Sequence, residues 1–433
     1  MAFESGTGIE WNHSRQGEKM RLAVLCIGDE LLKGSTVNTN LAHIGNTLMK
    51  AGIIPRFCLE VPDESSAILA ALKQALEHAD IVITTGGLGP TADDMTKETI
   101  ARHFGYRLEE DSASMANIHR FWKQRHSQRE IPSRVLNQAL VPAGADILEN
   151  RNGTAPGLVL RVPDSKAKVI MLPGPPNELE PMFDEDVLPL LQEEMKEACY
   201  TVIYRIAGIG ESEVEDRMLP VISRYHPLQV AYCASAGMVR LFLTSSDTNV
   251  LADASADVKG IFGKALFGDK CESLAADVVR LLKRERATFA TAESCTGGLV
   301  AKEITDVSGS SSVFLGGVVA YANEIKQNVL GVKAETLDEF GAVSEETAEE
   351  MVRGLAEKFN CDAAISLTGI AGPGGGSLEK PVGLVYAGIY WRGKVSIHEL
   401  HLRRSRSQIR ERAAASALYL LREMILSDGV EKA

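Results

Sequence analysis

Apolar residues along the chain fall into two patterns: short continuous runs, and longer stretches with helical spacing. Residues 21–27, RLAVLCI, form a run of β-formers ending in the polar turn Gly28-Asp29-Glu30. Over residues 38–51, Leu41, Ile44, Leu48 and Met49 recur at helical intervals, which predicts an amphipathic helix. Residues 54–61 predict a second strand and 64–78 a second helix. DIVIT at 80–84 is a third strand, running into Gly86-Gly87-Leu88-Gly89-Pro90-Thr91, and a helix over 94–104 follows. Strands alternating with helices in this rhythm predict a parallel sheet with crossover helices. Such sheets hold ligands at the carboxyl ends of their strands, where both polar turns fall. A helix over 112–129 and a strand over 168–172 complete the region, and the rigid turn PGPPNE after Leu172 is expected to close it.

The texture changes near Cys199. Strands at 201–206, 229–232 and 238–244, a glycine turn entering a helix over 208–219, and a helix over 250–264 predict a small α+β unit. A helix over 269–286 leads into a further α/β region. Its strands are predicted at 287–292, 313–321, 363–368 and 383–391, and its clearest helices at 345–359 and 405–426. The expected organisation is α/β in three domains, 20–183, 184–267 and 268–433. The lead-in 1–19 is expected to be disordered, with Met20 as a candidate start.

Composition narrows the function classes. A chain of 433 residues is too long for one ordinary core, and 45% hydrophobic with 24% charged residues is a globular balance. The formal net charge of −12 argues against direct nucleic-acid binding, which needs a basic surface. Seven scattered cysteines without a C-x-x-C pair fit reduced thiols in a cytoplasm better than a disulfide or zinc framework. No apolar run approaches the ~20 residues of a membrane span, and the first residues contain no apolar signal region.

Two polar constellations carry candidate chemistry. In the first, Asp29 and Glu30 follow one strand, and Asp93 and Asp94 follow the glycine turn of another. In a parallel sheet all four would gather at one rim. Carboxylates beside Gly86, Gly87, Gly89 and Thr91 suit a divalent cation bridged to substrate phosphates, because glycines let backbone N–H groups approach the anion. The competing reading is that Asp93 and Asp94 cap the helix.

The second constellation spans residues 291–326, TAESCTGGLVAKEITDVSGSSSVFLGGVVAYANEIK. Glu293-Ser294-Cys295-Thr296-Gly297-Gly298 turns a strand into a helix, a geometry that exposes a hydroxyl with N–H groups following it. Ser294 is the preferred nucleophile, and Ser311 its rival or an oxyanion donor. Lys326, shortly after Tyr321, can serve as base if burial lowers its pKa. The stretch contains no histidine, so a Ser-His-Asp arrangement within it is excluded. Cys295 is better explained by packing than by thiol chemistry. Thr368 opens a glycine-rich loop with Gly369, Gly372 and Gly374, able to approach an anion. The basic run HLRRSRSQIRER places Arg406 and Arg410 one turn apart, suited to a phosphate.

GDELLKGSTVNTN, TTGGLGPTADDMTKE, NGTAPG and LPGPPNELEPMF resemble the N-terminal domain of the CinA family. TAESCTGGLVA, GSSSVFLGGVVAYANEIKQNVLGV, GAVSEETA, LTGIAGPGGGS and the RSQIRERAA run resemble its C-terminal domain. The resemblance implies a molybdopterin-binding-like first domain that hydrolyses ADP-ribose with a divalent metal ion, and a KH-like middle unit. It further implies a C-terminal nicotinamide mononucleotide deamidase that uses a serine–lysine pair and no cofactor. Residue by residue it carries over to Ser294, Ser311, Tyr321, Lys326, Thr368 and Arg406. The ligands would be small nucleotides, with a homo-oligomer, a dimer, as the expected assembly and no membrane partner. A competence-related interaction protein and a molybdopterin-like cofactor binder are the alternative readings.

Overall fold

The computed structural model describes residues 20–125, 129–194, 199–235, 237–267 and 271–430; the expected disordered lead-in over 1–19 lies outside them. The chain divides into two compact units, Met1–Thr201 with Thr244–Asp247, and Val202–Leu243 with Thr248–Ala433.

In the first unit, β1 (Leu22–Ile27) is buried at every position, as a continuous apolar run in a central strand must be. It lies between β2 (Phe57–Val61) and β3 (Ile81–Thr85), parallel to both. Between them, α1 (Thr39–Lys50) buries Ile44 and Leu48, and α2 (Ser65–His78) buries Ile68, Ala71, Leu72 and Ala75. The Asn38 side chain caps α1 by accepting the Leu41 N–H at 2.9 Å. After β3 come α3 (Thr96–His103) and α4 (Ser112–Arg125), then β4 (Asp146–Leu148), β5 (Gly157–Arg161) and β6 (Lys168–Leu172).

The sheet order is β2-β1-β3-β6-β5-β4. The expected parallel sheet is therefore mixed, because β5 runs antiparallel to β6 and β4 antiparallel to β5. The PGPPNE turn does not close the unit. Pro176 begins a helix that continues as far as Glu194, and its Leu179, Phe183, Val187 and Leu191 fill the core beneath the sheet.

The second unit contains two sheets. The first has β7 (Tyr200–Ala207), β8 (Gln229–Ser235), β9 (Met238–Ser245) and β10 (Leu266–Phe267) in the order β8-β9-β7-β10. Helices Glu211–Arg224 and Thr248–Phe262 cover it. The glycine turn before the first of these is structural. A Cβ on Gly208 would lie 2.4 Å from the Tyr419 ring, so the position is set by close packing.

The second sheet has β11 (Phe289–Glu293), β12 (Phe314–Val319), β13 (Ala363–Gly369), β14 (Leu384–Trp391) and β15 (Lys394–His401). Their order is β12-β11-β13-β14-β15, with the first three parallel and the last two antiparallel. Helix Glu345–Phe359 packs on one face with Ser344 as its cap, and Leu274–Glu285 and Arg406–Val430 cover the other. The strand Lys394–His401 has no counterpart among the predicted elements; it lies at a sheet edge and runs straight into the basic stretch. A buried ion pair ties this helical layer together: Arg422 Nε reaches Asp277 Oδ2 at 2.7 Å. The same guanidinium donates to the carbonyls of Lys264 and Leu266 beside the first sheet.

Candidate active sites

In the second unit, β11 ends at Glu293 and the chain turns at Ser294, whose N–H stays bound to the Leu367 carbonyl of β13 at 2.8 Å. The reversal into the helix Leu299–Thr305 needs left-handed backbone at Gly297 and Gly298, with φ of +61° and +91°. Buried Glu293 closes this turn from below. Its carboxylate accepts the N–H groups of Val300 and Ala301 at 3.0 and 2.9 Å, satisfying two orphan donors of that helix. The periodicity of the chain offers no signal for this role.

Lys326 sits on a short helix, Asn323–Leu330, that the apolar pattern does not reveal, and its side chain is only 1% exposed. Its Nζ lies 3.2 Å from Ser294 Oγ, 2.9 Å from the Ala320 carbonyl and 3.4 Å from that of Tyr321. No carboxylate among the described residues stands within ion-pair distance. Burial therefore pulls the ammonium below its ordinary pKa of 10.5, because the charged form loses water and gains no counter-charge. Ser294, 8% exposed, is thus paired with an amine that gives up its proton more readily than a solvated lysine. Cys295 is buried and its thiol is pushed up to about 11, so it stays protonated beside the pair.

The other candidates divide. Tyr321 is 64% exposed and accepts a hydrogen bond from Arg406 Nη2 at 3.2 Å. Arg406 Nη1 donates to the Gly372 carbonyl at 2.8 Å, joining the helix Arg406–Val430 to the glycine loop. Gly369 is held against β14, where a Cβ would meet the Leu384 carbonyl at 2.7 Å, and Gly374 stands in open space. Thr368 is buried, and its hydroxyl is engaged by the Ala342 carbonyl. Arg410 does not point a free guanidinium at a ligand: Nε and Nη2 donate to the Cys295 and Thr296 carbonyls at 3.2 and 2.7 Å. Ser311 is exposed in the turn Ser310–Ser312, and no hydrogen bond joins it to Lys326.

In the first unit, the carboxyl ends of β1 and β3 open onto a cavity of about 520 Å3. Glu30, Asp93, Asp94, Gly86, Gly87 and Gly89 line it, whereas Asp29 and Thr91 do not. Gly28-Asp29-Glu30 is no open turn but the start of one helical turn, Asp29–Leu32. That places Lys33 four residues on, within 2.6 Å of the Asp29 carboxylate, and holds its pKa below the ordinary value. Thr91 donates its hydroxyl to Asp93 and to Asp94, the latter at 2.6 Å, and its N–H reaches Asp94 at 2.8 Å. The two aspartates therefore shape the turn and do not cap the helix, whose N-cap is Met95.

Asp63, Asn38, Asn40, Gln138 and Glu178 also line the cavity. Burial raises the carboxyl pKa of both Asp63 and Glu178. Asn38, Asn40 and Glu178 lie within the stretches GDELLKGSTVNTN and PGPPNE, whereas no short motif marks Asp63 or Gln138, and the five meet only in three dimensions. Among the described residues, no three His, Cys, Asp or Glu side chains converge to hold a metal ion. The expected four-carboxylate set is not preassembled, since Asp29 is drawn off by Lys33. A cation that takes one or two carboxylates and completes its shell with substrate phosphates and water still fits Glu30 and Asp93.

Fold and geometry together define a multidomain α/β protein with a glycine-walled cavity in one unit and a buried serine–lysine pair in the other. The chain belongs to the CinA family. It matches the probable molybdopterin binding domain over residues 23–193, the damage-inducible protein CinA KH domain over 201–268 and the CinA C-terminal domain over 271–425. It is 42% identical over 413 residues to a putative competence-damage inducible protein of Thermoanaerobacter pseudethanolicus, covering 94% of this chain and 99% of that one. A CinA-like protein of Kosmotoga olearia is 41% identical with the same coverage. Among solved structures, competence/damage inducible protein CihA from Agrobacterium tumefaciens is 44% identical over 34% of this chain and 91% of its own, with a TM-score of 0.34. No helix among the described residues is long and apolar enough to cross a membrane.

Proposed function

We propose that the C-terminal domain hydrolyses the carboxamide of nicotinamide mononucleotide to nicotinate mononucleotide and ammonia. The observation that carries this reading is the buried, uncompensated Lys326 at 3.2 Å from Ser294 Oγ. Serine needs a base to become a nucleophile, and a lysine whose pKa is lowered by the loss of water can be one. Ser294 Oγ attacks the amide carbon while its proton passes to Lys326. The tetrahedral oxyanion collapses, the C–N bond breaks, and Lys326 returns the proton to the leaving nitrogen, releasing ammonia. Water, deprotonated by the same lysine, then cleaves the acyl ester and frees Ser294. Arg406, exposed beside the Gly372 loop and the Tyr321 hydroxyl, suits the phosphate of a mononucleotide.

Ammonia release from nicotinamide mononucleotide tests the reading, with Ser294→Ala, Ser311→Ala and Lys326→Ala assayed beside wild type. A silent wild type sinks it, and full activity in Ser294→Ala moves the nucleophile to Ser311.

For the N-terminal domain we propose metal-dependent hydrolysis of ADP-ribose. The 520 Å3 cavity supports this reading, being of ligand size and lined by Gly86, Gly87 and Gly89 together with Glu30 and Asp93. A divalent ion would supply charge neutralisation at the pyrophosphate. Glu30 and Asp93 would hold it, and the glycine turn would admit the phosphates. AMP formation from ADP-ribose, with and without divalent cation, checks this, and a metal-independent rate would count against the carboxylate assignment.

A further inference from the structure

We infer that Arg410 is a positioning residue that sets the polarity of the nucleophile loop. By holding the Cys295 and Thr296 carbonyls, it turns the Thr296 N–H toward the Ser294 side of the loop as an oxyanion donor. The inference rests on Ser294 as nucleophile.

In a planar trans peptide the carbonyl and the following N–H point in opposite directions. Arg410 takes the carbonyls of two successive peptides, Cys295 at 3.2 Å and Thr296 at 2.7 Å. Both following N–H groups, of Thr296 and Gly297, must then point away from Arg410. The Gly297 N–H does so, reaching the Ser294 carbonyl at 3.1 Å. The Thr296 N–H, directed the same way, has no acceptor among the described residues. A buried N–H left without an acceptor costs free energy, which a developing oxyanion would recover. The Thr296 hydroxyl is also fully buried without a hydrogen-bond partner, so the residue carries two unused donors.

The surroundings show why an arginine is needed. Gly297 has φ +61°, and a Cβ there would stand 3.4 Å from Arg410 Nη2, so guanidinium and glycine backbone are packed against each other. A planar fork spans two adjacent carbonyls, which an ammonium cannot do with the same geometry. No carboxylate among the described residues lies within ion-pair distance of Arg410, and the hydrogen bonds it makes, from Nε and Nη2, both go to the loop. Glu293 holds the helical end of the turn through the Val300 and Ala301 N–H groups. Arg410 holds the middle.

The test compares wild type with Arg410→Lys, Arg410→Gln and Arg410→Ala in the full chain. It reads kcat and KM for ammonia release from nicotinamide mononucleotide, and the rate at which a fluorophosphonate labels Ser294. Labelling forms the Oγ–P bond, expels fluoride and sends the hydroxyl proton to Lys326, and its phosphoryl oxygen needs the same donor.

The expected result for Arg410→Gln is a fall in kcat of about 10- to 100-fold with little change in KM. That is less than the ~10²–10³ that outright loss of an oxyanion donor costs, because glutamine can still hold one carbonyl. Labelling should slow in parallel, Arg410→Lys should fall between wild type and Arg410→Gln, and added guanidinium should partly restore Arg410→Ala. A raised KM at constant kcat would make Arg410 a substrate contact and overturn the inference. So would unchanged kinetics, or loss of folded circular dichroism in all three variants. A wild type that labels at Ser294 but releases no ammonia would remove the amidase reading while the labelling rates still decide the role of Arg410.

Discussion

Replacing Lys326 with methionine separates its role as a base from its role in packing. Methionine matches the length of the lysine stem and removes only the amine, which lies 3.2 Å from Ser294 Oγ. Among the described residues no other titratable side chain hydrogen-bonds to Ser294, so the loss is that of the whole base. A positioned general base contributes about 10²–10⁴-fold, or about 3–5 kcal/mol at 1.36 kcal/mol per decade. With no second base to take over, kcat/KM for ammonia release should fall toward the upper end of that range.

The same lysine should shape the pH profile. Its folded pKa is lowered from 10.5 by burial, so the wild-type rate should rise with pH along a limb centred below 10.5. Stability follows the same group. Between the lowered folded pKa and ~10.4, the unfolded chain binds more protons at this site than the folded one, so folded stability rises with pH across that window. Lys326→Met should lose both the rate limb and this contribution to the stability slope. Ammonia release and urea midpoints measured at successive pH values check the two effects. A variant within tenfold of wild-type kcat/KM, or one that keeps the alkaline limb, would refute the assignment of Lys326 as base.

Further outcomes follow from other parts of the molecule. Asp277→Asn takes from Arg422 its fully buried counter-charge, the side chains being 4% and 0% exposed, and leaves only the part-exposed Glu423 carboxylate at 2.9 Å, so it should cost up to about 3 kcal/mol. A shift of the urea midpoint measures it, and an unshifted midpoint would mean that Glu423 and the Lys264 and Leu266 carbonyls suffice. Gly87→Ala places a Cβ 2.0 Å from Thr96 Oγ1 at φ +68°, so ADP-ribose turnover should be lost while ammonia release persists. Parallel loss of both would point to global unfolding instead. Chelation of divalent cations should stop AMP formation and leave ammonia release intact, and inhibition of both would tie the serine site to a metal.

Local order was largely written in the sequence. The 38–51 period and the Asn38 cap mark the helix Thr39–Lys50, and Glu345–Phe359 matches its predicted span because an apolar stripe and Ser344 delimit it. The strand-to-glycine-to-helix grammar around Ser294 was equally plain, because φ values of +61° and +91° demand Gly297 and Gly298. Pairing across the fold was not. Asp29 and Glu30 are neighbours in sequence, yet one helical turn gives Asp29 to Lys33 and leaves Glu30 facing the cavity. Asp63 and Glu178 join that cavity from distant segments; Glu178 ends the PGPPNE turn, whose place at the cavity its spacing did not reveal, and no motif marks Asp63. The four predicted strands of the first sheet do pair parallel, and the antiparallel edge comes from β4 and β5, which no predicted element covers.

The sequence by itself determined the family, the α/β class and a short list of hydroxyls, carboxylates and basic groups able to do chemistry. Those depend on residue type and local spacing, which the chain carries in one dimension. Only the tertiary structure joined Ser294 to Lys326, left Ser311 exposed and turned Arg410 onto the Cys295 and Thr296 carbonyls. The chemistry of a lysine depends on what surrounds it once water is gone. That environment is assembled from β11, the helix Asn323–Leu330 and the loop between them, and it exists only after they have packed.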